Sequence, residues 1–380
     1  MTTLDFTFDT TARCIFRAGA ADDLGPLCAP VLPRGNILFV TDATIRGLGL
    51  AEGALASLAG AGYAVTVFDE ATPDPPAPMI LRAAALARES QSVGVVAFGG
   101  GSTMDTAKLA AYLARSGQSL DAIYGVDQCT DARLPLVCVP TTGGTGSEVT
   151  PISVVTKSAD EKMGVSAPQL MPDLAVLDPA LSVTLPPDHT AATGIDAMVH
   201  AIEAYTTRLR KNPVSDTLAL EALRLLSANI RQAVETPTDI TARGGMLLGS
   251  MLAGKAFANA PCAAVHALAY PLGARFHLPH GLSNALLLPA VLRFNRGAVE
   301  AAYARLGEVI FGEASADALI AGFEHLGPAL GLPARLSETA ITEADLPVMA
   351  RDAMAQTRLL QNNPRAVSEA DALAIYRDAY

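Results

Sequence analysis

The sequence predicts an α/β N-terminal domain with a parallel sheet, followed by an all-α C-terminal domain. Three observations carry that expectation. Short apolar, β-branched runs alternate with Ala/Leu-rich helical stretches through the first half, as in a parallel sheet covered by helices. Strand signals nearly vanish beyond Asp178–Pro187 (DPALSVTLPP), where long helical windows take over. The 380 residues, half of them apolar, can bury a sizeable core but exceed the comfortable size of one domain. The expected domains are residues 1–184 and 185–380.

The expected strands are Asn36 to Val40, Tyr63 to Phe68, Val93 to Phe98 and Leu134 to Val139. The third feeds Gly99-Gly100-Gly101-Ser102 and then a helical run from Thr103 to Ala114. A glycine turn at a helix N-terminus exposes N–H groups to an anion and lets a pyrophosphate approach, which favours a nucleotide. The pattern is not GxGxxG, since Met104 stands where the last glycine would fall, and a tight strand-to-helix turn explains the same residues. The fourth strand feeds a second loop, Pro140-Thr-Thr-Gly-Gly-Thr-Gly-Ser-Glu148. Two such loops suggest one shared ligand, because open parallel sheets bind at the carboxyl ends of their strands. Asp42 ends the run Ile37 to Asp42, where its carboxylate either accepts from ribose hydroxyls, favouring NAD over NADP, or caps the segment that follows.

In the second half, helices are expected over Ser215 to Glu235 and Ala301 to Phe311. Asp196 and His200 are four apart, so on a helix they share one face. His266 and His280 sit among apolar and small residues in Val265-His-Ala-Leu-Ala-Tyr270 and Leu278-Pro-His280-Gly281. Each of the four has an ordinary structural explanation. Together they have the character of a divalent metal site, since three histidines stand in apolar, glycine-punctuated surroundings in the same half of the chain as Asp196. One carboxylate and three imidazoles, without a thiolate, suit Fe(II) or Zn(II) and leave positions open for a substrate oxygen.

On these residues the chain resembles the iron-containing (group III) alcohol dehydrogenases. The resemblance runs through Phe16-Arg-Ala-Gly-Ala20, Gly99 to Lys108, Pro140 to Glu148, Asp178-Pro179, Thr193-Gly-Ile-Asp196, His200 to Tyr205, His280 to Ala285 and Asn363-Pro-Arg365. It implies a dehydroquinate synthase-like fold, with NAD bound to the first domain and the metal to the second. Carried over by position, the metal ligands fall on Asp196, His200, His266 and His280, with iron as the implied metal and zinc as its replacement. The cofactor contacts fall on Asp42, Asp74, Gly99, Gly100, Gly101, Ser102, Thr141, Thr142, Thr145 and Lys162. Phe257 resembles an aromatic that lines the substrate pocket. Two positions depart from the pattern: Asp74 replaces an asparagine common in the family, and Tyr270 replaces a histidine often given a part in proton transfer. That task then falls to Tyr270, water or the cofactor ribose, with Tyr270 the expected catalytic side chain and His277 the weaker substitute.

The net charge of -11 opposes nucleic-acid or anionic-membrane partners, and no apolar stretch approaches membrane-spanning length. Five scattered cysteines without CxxC spacing fit a reducing cytoplasm. The expected function is an NAD-dependent, metal-dependent alcohol dehydrogenase or aldehyde reductase acting on a small substrate, in a homo-oligomer, dimeric as the resemblance implies. The competing readings are a maleylacetate-type reductase, a dehydroquinate synthase-like lyase, and a non-catalytic metal- or nucleotide-binding protein.

Overall fold

A computed structural model describes residues 5–158 and 161–380. Its chain forms two compact units, one of Asp9–Thr184 and one of Leu185–Tyr380 that also takes in residues 5–8.

The first unit is a doubly wound α/β domain. Its strands are β1 (Arg13–Phe16), β2 (Asn36–Val40), β3 (Ala64–Phe68), β4 (Gly94–Gly99), β5 (Gly125–Val126), β6 (Leu136–Pro140), β7 (Ile152–Ser158), β8 (Glu161–Ser166) and β9 (Leu174–Leu177). Six of them make one sheet in the order β1-β9-β6-β4-β2-β3, with every neighbouring pair parallel. Among the described residues its α-helices are α1 (Leu24–Cys28), α2 (Ala43–Gly47), α3 (Glu52–Gly60), α4 (Ala77–Glu89) and α5 (Gly101–Arg115). Successive strand residues point to opposite faces, and both faces are covered. Leu38, Val40, Val95, Ala97, Leu136 and Cys138 pack in one layer with α4 and α5. Ile37, Phe39, Val96, Phe98, Val137 and Val139 pack in the other with α1 and α3. That explains why the central strands read as unbroken apolar runs instead of alternating ones. From β2 the chain adds β3 on one side, then returns past β2 to add β4 on the other. The winding direction therefore reverses between β2 and β4, where open α/β sheets place their ligands. A second sheet, β5-β8-β7, contains the antiparallel β7–β8 pair.

The second unit holds α6 (Pro187–Thr206), α7 (Pro213–Glu235), α8 (Ile240–Asn259), α9 (Ala264–Phe276), α10 (His280–Phe311), α11 (Ala316–Ala329), α12 (Leu346–Ala353), α13 (Thr357–Leu360) and α14 (Glu369–Ala379). Among the described residues it contains no strand. The Ala301 to Phe311 window proves to be the end of α10, which breaks at Val299 (φ −138°, ψ 31°). Gly281 lets α10 start against α6, because a Cβ there would lie 2.5 Å from the Ala192 carbonyl oxygen. Among the described residues, no helix is long and apolar enough to cross a membrane.

Candidate active site

Three helices bring the proposed metal ligands together. Asp196 and His200 share one face of α6, His266 lies in the first turn of α9, and His280 begins α10. One ligand atom from each lies within 4.8 Å of every other. Asp196 Oδ1 is 3.9 Å from His266 Nε2 and 3.6 Å from His280 Nε2. The first three are buried and His280 is half-buried. The imidazoles form a row, with ring centroids 4.5 Å apart for His200 and His266 and 5.4 Å apart for His266 and His280. Phe257 closes the row, stacked on His200 at 4.3 Å with the planes 16° apart.

The side chains around the ligands show why the cluster holds this geometry. Burial alone would raise the Asp196 carboxyl, yet the three imidazoles and the Asn284 amide outweigh it and hold it below the usual range. Asn284 Nδ2 donates to Asp196 Oδ1 at 2.6 Å and lies 3.2 Å from His280 Nε2. Burial would also lower His266, but Cys262 and the Glu203 carboxylate leave it well above the ordinary imidazole range. Glu203 Oε2 lies 2.6 Å from His266 Nδ1. His266 Nε2 is buried and has no hydrogen-bond partner. A buried nitrogen facing a carboxylate and two more imidazoles is the position a cation would complete. Glu203 and Asn284 were not assigned roles from sequence, although both lie within the motifs of the resemblance. Their signal was helical spacing: Glu203 follows Asp196 and His200 at i+7 and i+3, and Asn284 follows His280 at i+4.

In the first unit Asp42, Gly99 to Ser102 and Thr141, Thr142 and Thr145 lie at the carboxyl ends of β2, β4 and β6, three adjacent strands, whereas Asp74 follows β3 and Lys162 lies in β8 of the other sheet. Gly100 caps α5, leaving the first-turn N–H groups of Gly101, Ser102 and Thr103 for a ligand. The two loops pack on each other. A Cβ on Gly101 would lie 2.7 Å from Thr145 Cγ2, and one on Gly100 would lie 3.6 Å from Thr142 Oγ1. Thr141 is buried and donates its N–H to Gly99 O at 3.1 Å. Behind the loops, Lys108 Nζ is fully buried and donates to Ser147 Oγ at 2.7 Å and to Ile152 O at 2.7 Å. Asp105 accepts from Ser147 Oγ and from Val154 N, both at 2.9 Å. These two residues fix the second loop to α5.

Asp42 takes the capping geometry: Oδ1 accepts from Ile45 N at 2.9 Å at the start of α2. Asp74, in a left-handed conformation (φ 52°), pairs with Lys162 at 2.6 Å, so two expected cofactor contacts hold each other. The Tyr270 ring lies 6.5 Å from the His280 ring. His277 caps the end of α9 at φ 53°. Two motifs of the resemblance are scaffolding. Asp178 accepts from Gly19 N, Ala21 N and Ala180 N, tying β9 to the turn after β1. Asn363 exchanges amide hydrogen bonds with Asn295 of α10.

A family model described as iron-containing alcohol dehydrogenase matches residues 11–179, and one for the C-terminal part of the Fe-containing alcohol dehydrogenase family matches residues 190–380. Long-chain-alcohol dehydrogenase 1 of Geobacillus thermodenitrificans is 40% identical over 372 residues, 95% of this chain and 93% of that one. The NAD-dependent methanol dehydrogenase of Bacillus methanolicus is 33% identical over 351 residues, 90% of this chain and 91% of its own. A solved 1,3-propanediol oxidoreductase matches with a TM-score of 0.95 at 35% identity, covering 99% of this chain and 100% of that one.

Proposed function

The chain belongs to the iron-containing alcohol dehydrogenase family and is an NAD-dependent, metal-dependent alcohol dehydrogenase, and from that premise we propose which residues do the work. Asp196, His200, His266 and His280 hold the metal. The loops Gly99 to Ser102 and Thr141 to Thr145 hold the NAD pyrophosphate, with Asp42 toward the ribose. The observation that carries the metal assignment is the buried, unpartnered Nε2 of His266 inside a four-residue donor set.

When bound, a divalent cation polarises the carbon–oxygen bond of an alcohol or carbonyl, and the nicotinamide takes or returns the hydride. The chain's own part is to hold and orient. Asn284 fixes Asp196, Phe257 limits rotation of His200, and the N–H groups at the start of α5 receive the cofactor's negative charge. Tyr270 Oη is the group we assign to relay the alcohol proton, accepting it as its own hydroxyl hydrogen passes to water, supported by its place beside His280. Fe(II) is the assigned ion and Zn(II) its substitute, since one carboxylate and three imidazoles serve both. The assigned substrate is a small alcohol or its aldehyde, and the assigned setting is a homodimer in the cytoplasm. A maleylacetate-type reductase that dispenses with metal leaves the complete donor set unexplained.

The test is chelation followed by reconstitution, with NADH followed across short-chain alcohols, diols and hydroxy acids. Activity should vanish on chelation and return with Fe(II) or Zn(II). Full turnover by verified metal-free protein would remove the metal from the mechanism.

A further inference from the structure

We infer that Glu203 is a positioning residue for the metal site, acting through His266. The inference rests on the metal assignment above. Two backbone N–H donors and one imidazole nitrogen converge on this one buried carboxylate. Ala263 N donates to Oε2 at 2.8 Å, Val265 N to Oε1 at 2.7 Å, and His266 Nδ1 lies 2.6 Å from Oε2. An ionised carboxylate offers only acceptors, so Nδ1 must carry the hydrogen. When His266 holds a metal it is the neutral imidazole, and with its hydrogen kept on Nδ1 its lone pair lies on Nε2. That is the atom turned toward Asp196 at 3.9 Å and left without a hydrogen-bond partner.

Glu203 thereby fixes two properties of the third ligand at once. It selects the tautomer, and it anchors the first turn of α9 by accepting two of the N–H groups that a helix start leaves unsatisfied. It does so from α6, the helix that already supplies Asp196 and His200. One helix therefore carries two ligands and sets the orientation of another. Glutamine at 203 has a single acceptor oxygen and a donor group where three donors meet. Either an α9 N–H loses its partner or the amide hydrogens face Nδ1, which then accepts and moves the imidazole hydrogen onto Nε2.

The test is a double-mutant cycle on Zn(II) affinity, measured by competition with a chromophoric chelator on metal-free protein. Glu203→Gln should loosen Zn(II) about 10- to 100-fold when His266 is present. In a His266→Ala background it should change affinity by no more than about twofold. The same loss in both backgrounds would show that Glu203 acts on the helix alone, and unchanged affinity in the parent would also overturn the inference. Should Glu203→Gln fail to fold, Glu203→Asp enters the same cycle, where a loss dependent on His266 supports the inference and one independent of it refutes it. Failure of the metal assignment would read differently, as His266→Ala binding Zn(II) like the parent.

Discussion

The two candidate sites are built from opposite materials. In the α/β unit the cofactor loops present backbone, made accessible by glycines, and the side chains that matter lie behind them as buried supports. In the helical unit the ligands are side chains projecting from helices, and the backbone's part is to bring three helices close enough for those side chains to meet. The difference teaches where each site is fragile. A backbone site fails when its support or its glycine clearance is lost, whereas a side-chain site fails when a ligand or its orienting partner changes.

The largest effect expected from breaking this comparison is at Lys108. Burial pushes the Lys108 ammonium below its usual range and the Asp105 carboxyl above its own, and each opposes the shift in the other. Such a pair stabilises little when intact, but removing one member leaves a buried charge uncompensated. Lys108→Met should lower unfolding free energy by about 3–5 kcal/mol, measured by urea denaturation, and Asp105→Asn in the same chain should restore much of it. A loss below about 1 kcal/mol would show that the second loop stands without this support.

Next come two glycines that probe the sites in parallel. Gly101→Ala sets a Cβ 2.7 Å from Thr145 Cγ2, so the two cofactor loops must part. Gly281→Ala sets a Cβ 2.5 Å from the Ala192 carbonyl, so α10 and its His280 must move from α6. Overpacking of this kind costs about 1–3 kcal/mol, or about thirtyfold in affinity at its middle. The first should weaken NAD binding and spare Zn(II), and the second should do the reverse, both read by isothermal titration. Equal effects of both substitutions on both ligands would dissolve the distinction.

What was legible in the sequence follows the same division. The central strands could be read because burial on both faces makes them continuous apolar runs: Asn36 to Val40 coincides with β2, and Val93 to Phe98 is displaced by one residue from β4. The glycine loops could be read because a backbone site leaves a composition. The flanking β1 and β9 are four residues each, too short for a pattern, and the β7–β8 hairpin has no such run. In the helical unit the four proposed ligands are persuasive only jointly, because no local pattern shows that His266 and His280 lie near Asp196. Glu203 was invisible for a related reason, since a glutamate on a helix is ordinary until two backbone N–H groups and an imidazole nitrogen are seen to converge on it.

The smallest effect, and the sharpest for the backbone site, belongs to Asp42. Its observed bond to Ile45 N explains the residue as a helix cap, while its place at the end of β2, beside the reversal of strand order, suits a carboxylate that accepts from a ribose. Asparagine separates the two roles, because it caps about as well as aspartate but carries no charge. If Asp42 only caps, Asp42→Asn should change neither stability nor cofactor preference. If it also selects the cofactor, stability should stay within about 0.5 kcal/mol of the parent. The KM for NADP should then fall by up to about fivefold, the scale of one partly screened charge interaction, while kcat is little affected. Steady-state kinetics with NAD and NADP on both proteins decides it. An unchanged ratio of the two KM values would leave Asp42 as a cap and place the ribose contact elsewhere in the loops.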